Sequence, residues 1–182
     1  MIFHDTSLVD AKLIDLEPRG DERGFFARTM CLDEFAGHGI APEFVQQNMS
    51  VSAQAGTLRG LHFQRAPHSE DKLIRCVRGA IFDVIVDLRP GSPSFMRHEA
   101  FELCDANRRM LWIPQGFAHG FLTLTDACEV TYLVTRRYEA AAEGGLRHDD
   151  PRLAIDWPRP ASVLSDKDAD WPLLDTDRPA FF

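Results

Sequence analysis

Three side chains able to move protons or hold charge interrupt otherwise apolar, strand-like runs of this chain. His62 stands in "LRGLHFQ", Lys72 opens "KLIRCVRG", and Tyr132 lies inside "CEVTYLVT". An imidazole can take a proton from carbon, an ammonium can hold the resulting oxyanion, and a phenol can return a proton from the other side. Brought together, the three would suit proton transfer next to a carbonyl. Taken singly, each has a plainer reading: a hydrogen-bonded structural histidine, a solvated lysine and a core tyrosine with a partnered hydroxyl. His119, in "IPQGFAHGF", is a second histidine at a strand entrance. A barrel metal site would need three or four ligands, commonly with a close His-x-His pair. Position 64 is Gln, so that pair is missing and no metal is expected.

Arginines form a second theme. Arg23, Arg28 and Arg59 flank apolar or aromatic residues, and "DERGFF" sets Phe25 and Phe26 beside Arg23. Guanidinium groups next to rings suit a phosphate joined to a planar base, with ordinary surface ion pairs as the alternative. No Gly-rich phosphate loop supports an ATP or dinucleotide site. Arg59 and His62 are three residues apart, so on a regular strand they point to opposite faces. For both to serve one cavity, a bulge or twist is required at Gly60.

The elements that must position these groups are short strands. From about Val45 onward, strand-like runs alternate with turn residues. In "AIFDVIVDL", Phe82, Val84, Val86 and Leu88 alternate with Asp83, Ile85 and Asp87, a period of two. Lys72 opens the strand after that of His62, and a hairpin between the two would return it close to His62; Arg78-Gly79 reads as a second hairpin turn, and Pro90-Gly91-Ser92-Pro93 ends the strand that follows it. "HEAFELC", "MLWIP", "HGFLTLT" and "CEVTYLVTRRY" follow. Helical pattern is confined to Leu32–Ala36 and a turn near Ser165–Ala169. Many short strands at regular spacing imply an all-β sandwich or jelly-roll barrel, here a single domain over 1–182 with short peripheral helices.

Composition narrows the function classes. A net charge of −8 over 182 residues argues against a general nucleic-acid or membrane-surface binder, either of which needs a basic face. It leaves room for a small anionic ligand held by a few arginines. Cys31, Cys76, Cys104 and Cys128 are scattered without a CxxC pair, which favours reduced, partly buried thiols. The first residues carry acids and no secretory pattern, and no apolar run reaches membrane-spanning length, so a cytoplasmic location is expected.

Taken in order, "DERGFF", "FVQQNMS", "LRGLHFQ", "KLIRCVRGAIFDVIVDLRPGSPSF", "LWIPQGFAHGFL" and "LAIDWP" resemble the motifs of the dTDP-4-dehydrorhamnose 3,5-epimerase family. The resemblance implies a dimeric cupin-type jelly roll acting on nucleotide-linked 4-keto-6-deoxy sugars without metal or organic cofactor. Through it, His62 becomes the base, Asp168 of "LSDKD" its orienting partner, Lys72 a neighbour of the keto or enolate oxygen, and Tyr132 the opposite-face acid. Substrate contacts implied in the same way are Arg59, Arg23, Gln46, Asn48, His119, Phe26, Arg28 and Tyr138. Arg28 stands where the family commonly has an acid. Thymine presents an N3 proton that a carboxylate can accept, whereas cytosine's bare N3 suits a donor, so both dTDP and CDP sugars stay open. Inversion at C3, C5 or both also stays open. The rival readings are a sugar 3,4-ketoisomerase, a metal-dependent oxygenase of the same barrel type and a non-catalytic sugar-nucleotide binding module.

Overall fold

The computed structural model describes residues 1–174; the end of the expected 1–182 domain, residues 175–182, lies outside the described residues. Among the described residues, thirteen strands and two short α-helices follow one another, with a 3-10 turn at Ala140–Ala142. They are β1 (Ile2–Asp5), β2 (Lys12–Asp15), β3 (Arg19–Asp21), β4 (Gly24–Phe26), α1 (Leu32–Ala36), β5 (Gln46–Ser52), β6 (Leu58–Gln64) and β7 (Lys72–Arg78). Then come β8 (Ala80–Asp87), β9 (His98–Cys104), β10 (Met110–Ile113), β11 (Phe117–Thr123), β12 (Cys128–Val134), β13 (Glu143–Gly145) and α2 (Asp166–Ala169). Two sheets face each other in a jelly-roll barrel: β1-β2-β10-β7-β12-β5 and β13-β6-β11-β8-β9. β3 and β4 form a separate hairpin. No helix among the described residues is long and apolar enough to cross a membrane.

Burial explains why the strands hold these positions. Between the sheets lies an apolar cluster that includes Ile74, Ile81, Ile85, Leu111, Phe117, Phe121 and Val130, with Tyr132 packed against it. A second cluster covers the outer side of β8 and its neighbours: Leu61, Phe63, Val84, Val86 and Leu88 meet Leu146, Leu153 and Leu174 from the C-terminal segment. A third packs α1 through Phe35 against Ile14, Leu73, Met110 and Trp112. Strand β8 is therefore apolar toward two layers. Phe82, Val84 and Val86 belong to the outer cluster, while Ile81 and Ile85 face the barrel interior. The same parity carries Asp83 inward.

Two sequence expectations need correction. Arg78-Gly79 is not a hairpin turn, because β7 and β8 belong to opposite sheets and do not pair. Gly79, at φ +76°, is instead a corner where the chain changes sheet. For the same reason Lys72 does not return beside His62 on a neighbouring strand; it faces the cavity from the opposite sheet. The strands β1 to β4 precede Val45, where the pattern was too short to read. Both helices fall where the sequence placed them, with Ser165 accepting a hydrogen bond from Asp168 N as the N-cap of α2.

The expected irregularity at Gly60 is present. His119 pairs with His62 and Phe121 with Arg59, so two steps along β11 match three along β6. The additional residue lies beside Gly60, whose φ is +120°. A Cβ there would stand 2.5 Å from Gly120 Cα and 2.7 Å from His119 O, backbone atoms that cannot move aside. Gly60→Ala is expected to destabilise the fold by at least about 2 kcal/mol, from the unfavourable φ and the clash together. Urea unfolding checks this, and an unchanged midpoint would show that the bulge tolerates a side chain.

One loop offers a pH test of stability. The Asp87 carboxylate accepts hydrogen bonds from Arg89 Nη2 at 2.9 Å, Ser92 Oγ at 2.6 Å and Ser94 Oγ at 2.6 Å. Burial pushes its pKa up, but these donors outweigh burial and hold it below the usual carboxylate range. A depressed folded pKa contributes stability above the unfolded value of about 3.9, and that contribution fades as pH falls through the folded value. Asp87→Asn should therefore flatten the loss of stability between about pH 5 and pH 3. An unaltered slope in chemical denaturation across that range would count against the assignment.

Candidate active site

The barrel interior opens into a cavity of two lobes, about 350 Å³ and 300 Å³, that share His62, Lys72 and Tyr132 in their walls. Each lobe is of small-ligand size. Gln46, Asn48, Gln64, Glu70, Tyr138 and Glu143 line the first lobe. Arg59, His119, Phe121, Lys167 and Asp168 line the second.

His62 projects from β6 and meets the carboxylate of Asp168 at 2.5 Å through Nε2. The other Asp168 oxygen accepts from Gly60 N at 3.4 Å. The aspartate is placed by α2, so a helix of one turn carries the partner of a histidine far away in sequence. Burial acts to raise the Asp168 pKa, but the His62 bond and charge, with Ser165 and Gly60 N–H, hold it below the ordinary carboxylate range. Asp168 is therefore ionised at neutral pH and fixes the imidazole through Nε2, with no hydrogen-bond partner on the other ring nitrogen among the described residues. The His62 side chain remains 33% exposed, which gives substrate and solvent protons access to the ring.

Tyr132 projects from β12, paired with Asn48 on β5 and Ile74 on β7, and so belongs to the sheet opposite His62. Burial raises its phenol pKa, the Glu70 carboxylate adds to the rise, and the Arg59 charge opposes it. The hydroxyl thus keeps its proton at neutral pH and can serve as an acid. Lys72 lies in the walls of both lobes and bonds Glu70 Oε1 at 3.1 Å.

Arg59 turns toward the second lobe, donating to Ser52 Oγ at 3.2 Å and Val51 O at 3.1 Å. It has no ion pair among the described residues, which leaves its charge available for an anion. Gln46 donates to Asn48 Oδ1 at 2.7 Å in the first lobe. Tyr138 donates to Glu143 Oε2 at 2.9 Å at that lobe's edge. Arg23, Phe26 and Arg28 are not in the walls of this cavity. Arg23 bonds Asp21 in the β3–β4 hairpin, Phe26 is exposed, and Arg28 bonds Glu34 Oε1 at 2.6 Å.

Several site residues had gone unread in the sequence. Gln64, where a metal site would have had histidine, is buried and bridges Glu139 N at 2.6 Å, His68 O at 3.0 Å and the Glu70 carboxylate. Trp171 sets its ring edge-on to His62 with centroids 6.2 Å apart. A Cβ on Gly145 would meet that indole at 2.2 Å, so the glycine makes room for it. Asp83 bonds His119 Nε2 at 2.9 Å from β8. Its inward parity in "AIFDVIVD" was the available signal.

A histidine held by a carboxylate on one sheet faces a protonated phenol and an ammonium on the other, a set of groups suited to moving protons at carbon. The chain belongs to the dTDP-4-dehydrorhamnose 3,5-epimerase family, whose model matches residues 5–176. It is 45% identical to the dTDP-4-dehydrorhamnose 3,5-epimerase of Sinorhizobium fredii, over 96% of this chain and 90% of that one. A dTDP-4-dehydrorhamnose 3-epimerase of Streptomyces niveus is 42% identical over 90% of this chain and 79% of its own length. The crystal structure of the Bacillus anthracis 3,5-epimerase with TDP and pyrophosphate bound superimposes with a TM-score of 0.92 at 45% identity. It covers 95% of this chain and 99% of that one.

Proposed function

We propose that this protein epimerises a dTDP-linked 4-keto-6-deoxy hexose at C3, C5 or both, with His62 as base and Tyr132 as opposite-face acid. The observation that carries this reading is their placement on facing sheets around one cavity. The C4 ketone acidifies the hydrogens on both neighbouring carbons because the carbanion delocalises as an enolate. His62 takes the proton, its growing charge balanced by Asp168, and the C–H electron pair moves onto the keto oxygen. Lys72 stabilises that oxygen. Tyr132 then donates its proton to the same carbon from the other face, the enolate electrons re-form the C–H bond, and solvent exchange resets both groups. Arg59, Gln46, Asn48 and Tyr138 are assigned to the sugar and diphosphate.

Thymidine is the base favoured by the relatives' names. Arg28 is already paired with Glu34, which weakens the case for cytosine built on its charge. The 3-epimerase among the relatives supports single-carbon inversion as a second reading. Incubation with dTDP-4-keto-6-deoxyglucose in D2O, followed by NMR, decides both points. Deuterium with inversion at C3 and C5 supports the double epimerase, inversion at C3 alone supports the second reading, and absence of exchange at both carbons refutes epimerisation of this sugar.

The same reading makes the protein a cytoplasmic homodimer. β5 is a sheet edge that exposes Met49 and Val51, and the β3–β4 hairpin exposes Phe25 and Phe26. Arg23 and Phe26 on that hairpin, and Arg28 just after it, do not line this chain's own cavity, and a second copy supplying this segment would account for their contact with a nucleotide. Sedimentation at twice the 20.6 kDa chain mass is the expected result, and a monomer at assay concentration would exclude it.

A further inference from the structure

The cavity holds two His–Asp pairs, and their surroundings differ. His62 and Asp168 form the open one. In the other, His119 Nε2 meets Asp83 Oδ2 at 2.9 Å, with Asp83 fully buried and the His119 side chain only 10% exposed. Asp83 Oδ1 has no hydrogen-bond partner among the described residues. His119 stands directly opposite His62 in the β11–β6 register and shares a lobe with Lys72 and Tyr132.

A buried carboxylate with a bare oxygen is costly as a lone charge. It is tolerated when the pair as a whole is neutral, which places one proton between Oδ2 and Nε2 and a second on Nδ1. Written as carboxylate with imidazolium, or as carboxylic acid with neutral imidazole, the pair keeps an N–H on Nδ1. Nε2 is committed to Asp83, so Nδ1 is the nitrogen left to meet a ligand. We propose that Asp83 is a positioning residue that keeps His119 a hydrogen-bond donor, and that its Nδ1–H, together with Lys72, holds the substrate's keto oxygen as it becomes the enolate oxygen.

This rests on the epimerase reading and extends it: one pair receives a proton while the other holds the charge that proton leaves behind. The carboxylates' environments divide the roles. Burial, opposed by His119 and Lys72, pushes the Asp83 pKa up, whereas the Asp168 carboxylate is held low. Besides Asp83 on β8, the charged and titratable groups around His119 are His62 and Arg59 on β6, Lys72 on β7, Tyr132 on β12, and Lys167 and Asp168 on α2.

The protonation itself is read on the intact wild-type protein by long-range 15N–1H NMR of the histidine rings. His119 Nδ1 is expected to carry a proton at pH 7.5. A bare Nδ1 at pH 7.5 overturns the proposal. Asp83→Asn keeps the ring's partner but removes the shared charge, so kcat should fall about tenfold or more at pH 7.5 with KM held within about threefold. The variant's rate should also respond to pH differently from the wild type's, since no shared proton then keeps Nδ1 a donor. A wild-type kcat and pH profile in the variant, or a rise in KM with kcat unchanged, overturns the role at the enolate oxygen. If wild-type enzyme shows no deuterium exchange with its sugar, the epimerase reading fails instead, and the Nδ1 measurement still stands.

Discussion

His62→Ala should abolish deuterium incorporation beside the ketone and lower kcat by about three orders of magnitude. The size follows from what else could serve as base. Lys72 is engaged with Glu70, the Tyr132 hydroxyl is kept protonated by burial and by the Glu70 charge, and Asp168, paired with His62 and held below the ordinary carboxylate range, is a weak base. Removing the imidazole therefore leaves the C–H bond without an acceptor, and the Asp168 carboxylate without its partner. Substrate affinity should change little, since Arg59, Gln46 and Asn48 are untouched. NMR in D2O and dTDP titration together check this. Wash-in that continued at the wild-type rate would remove His62 as the base, and lost nucleotide binding would show that the variant had disturbed more than the proton transfer.

Tyr132→Phe should separate the two halves of the reaction. Phe fills the same space between Ile74 and Asn48 and removes only the acid. His62 still takes the proton, exchanges it through its exposed edge and returns it to the face it came from. The product is then deuterated substrate with its original configuration. Inversion should fall about a hundredfold or more while exchange stays within about tenfold. Equal loss of both would contradict the two-face assignment. Inversion at an undiminished rate would require another acid, such as Tyr138, which also lines the first lobe.

Much of this site could be read before any fold was known. His62, Lys72 and Tyr132 were conspicuous because a proton donor or a charge in an apolar strand needs a reason. The bulge at Gly60 could be anticipated from parity, since Arg59 and His62 could not otherwise share a cavity. Asp168 was legible through family resemblance alone; nothing in "LSDKD" by itself points to a histidine more than a hundred residues earlier. Asp83 went unread although its strand showed period-two alternation, because that pattern normally assigns the polar side to solvent. Here the C-terminal segment covers the outer face of β8, so both faces are buried and the aspartate points inward.

Local chemistry along the chain settled the type of fold and the kind of reaction: short strands that must close on themselves, and residues competent to move a proton beside a carbonyl. Sheet membership was beyond it. A turn such as Arg78-Gly79 is equally good chemistry for a hairpin and for a corner between sheets, and long-range burial alone separates the two. That choice put Lys72 and Tyr132 across the cavity from His62, where inversion needs them. It also left Arg23 and Phe26 on a hairpin, and Arg28 just after it, outside the cavity's walls, because the cavity is closed by strands far apart in sequence while that hairpin forms a separate, exposed two-stranded sheet.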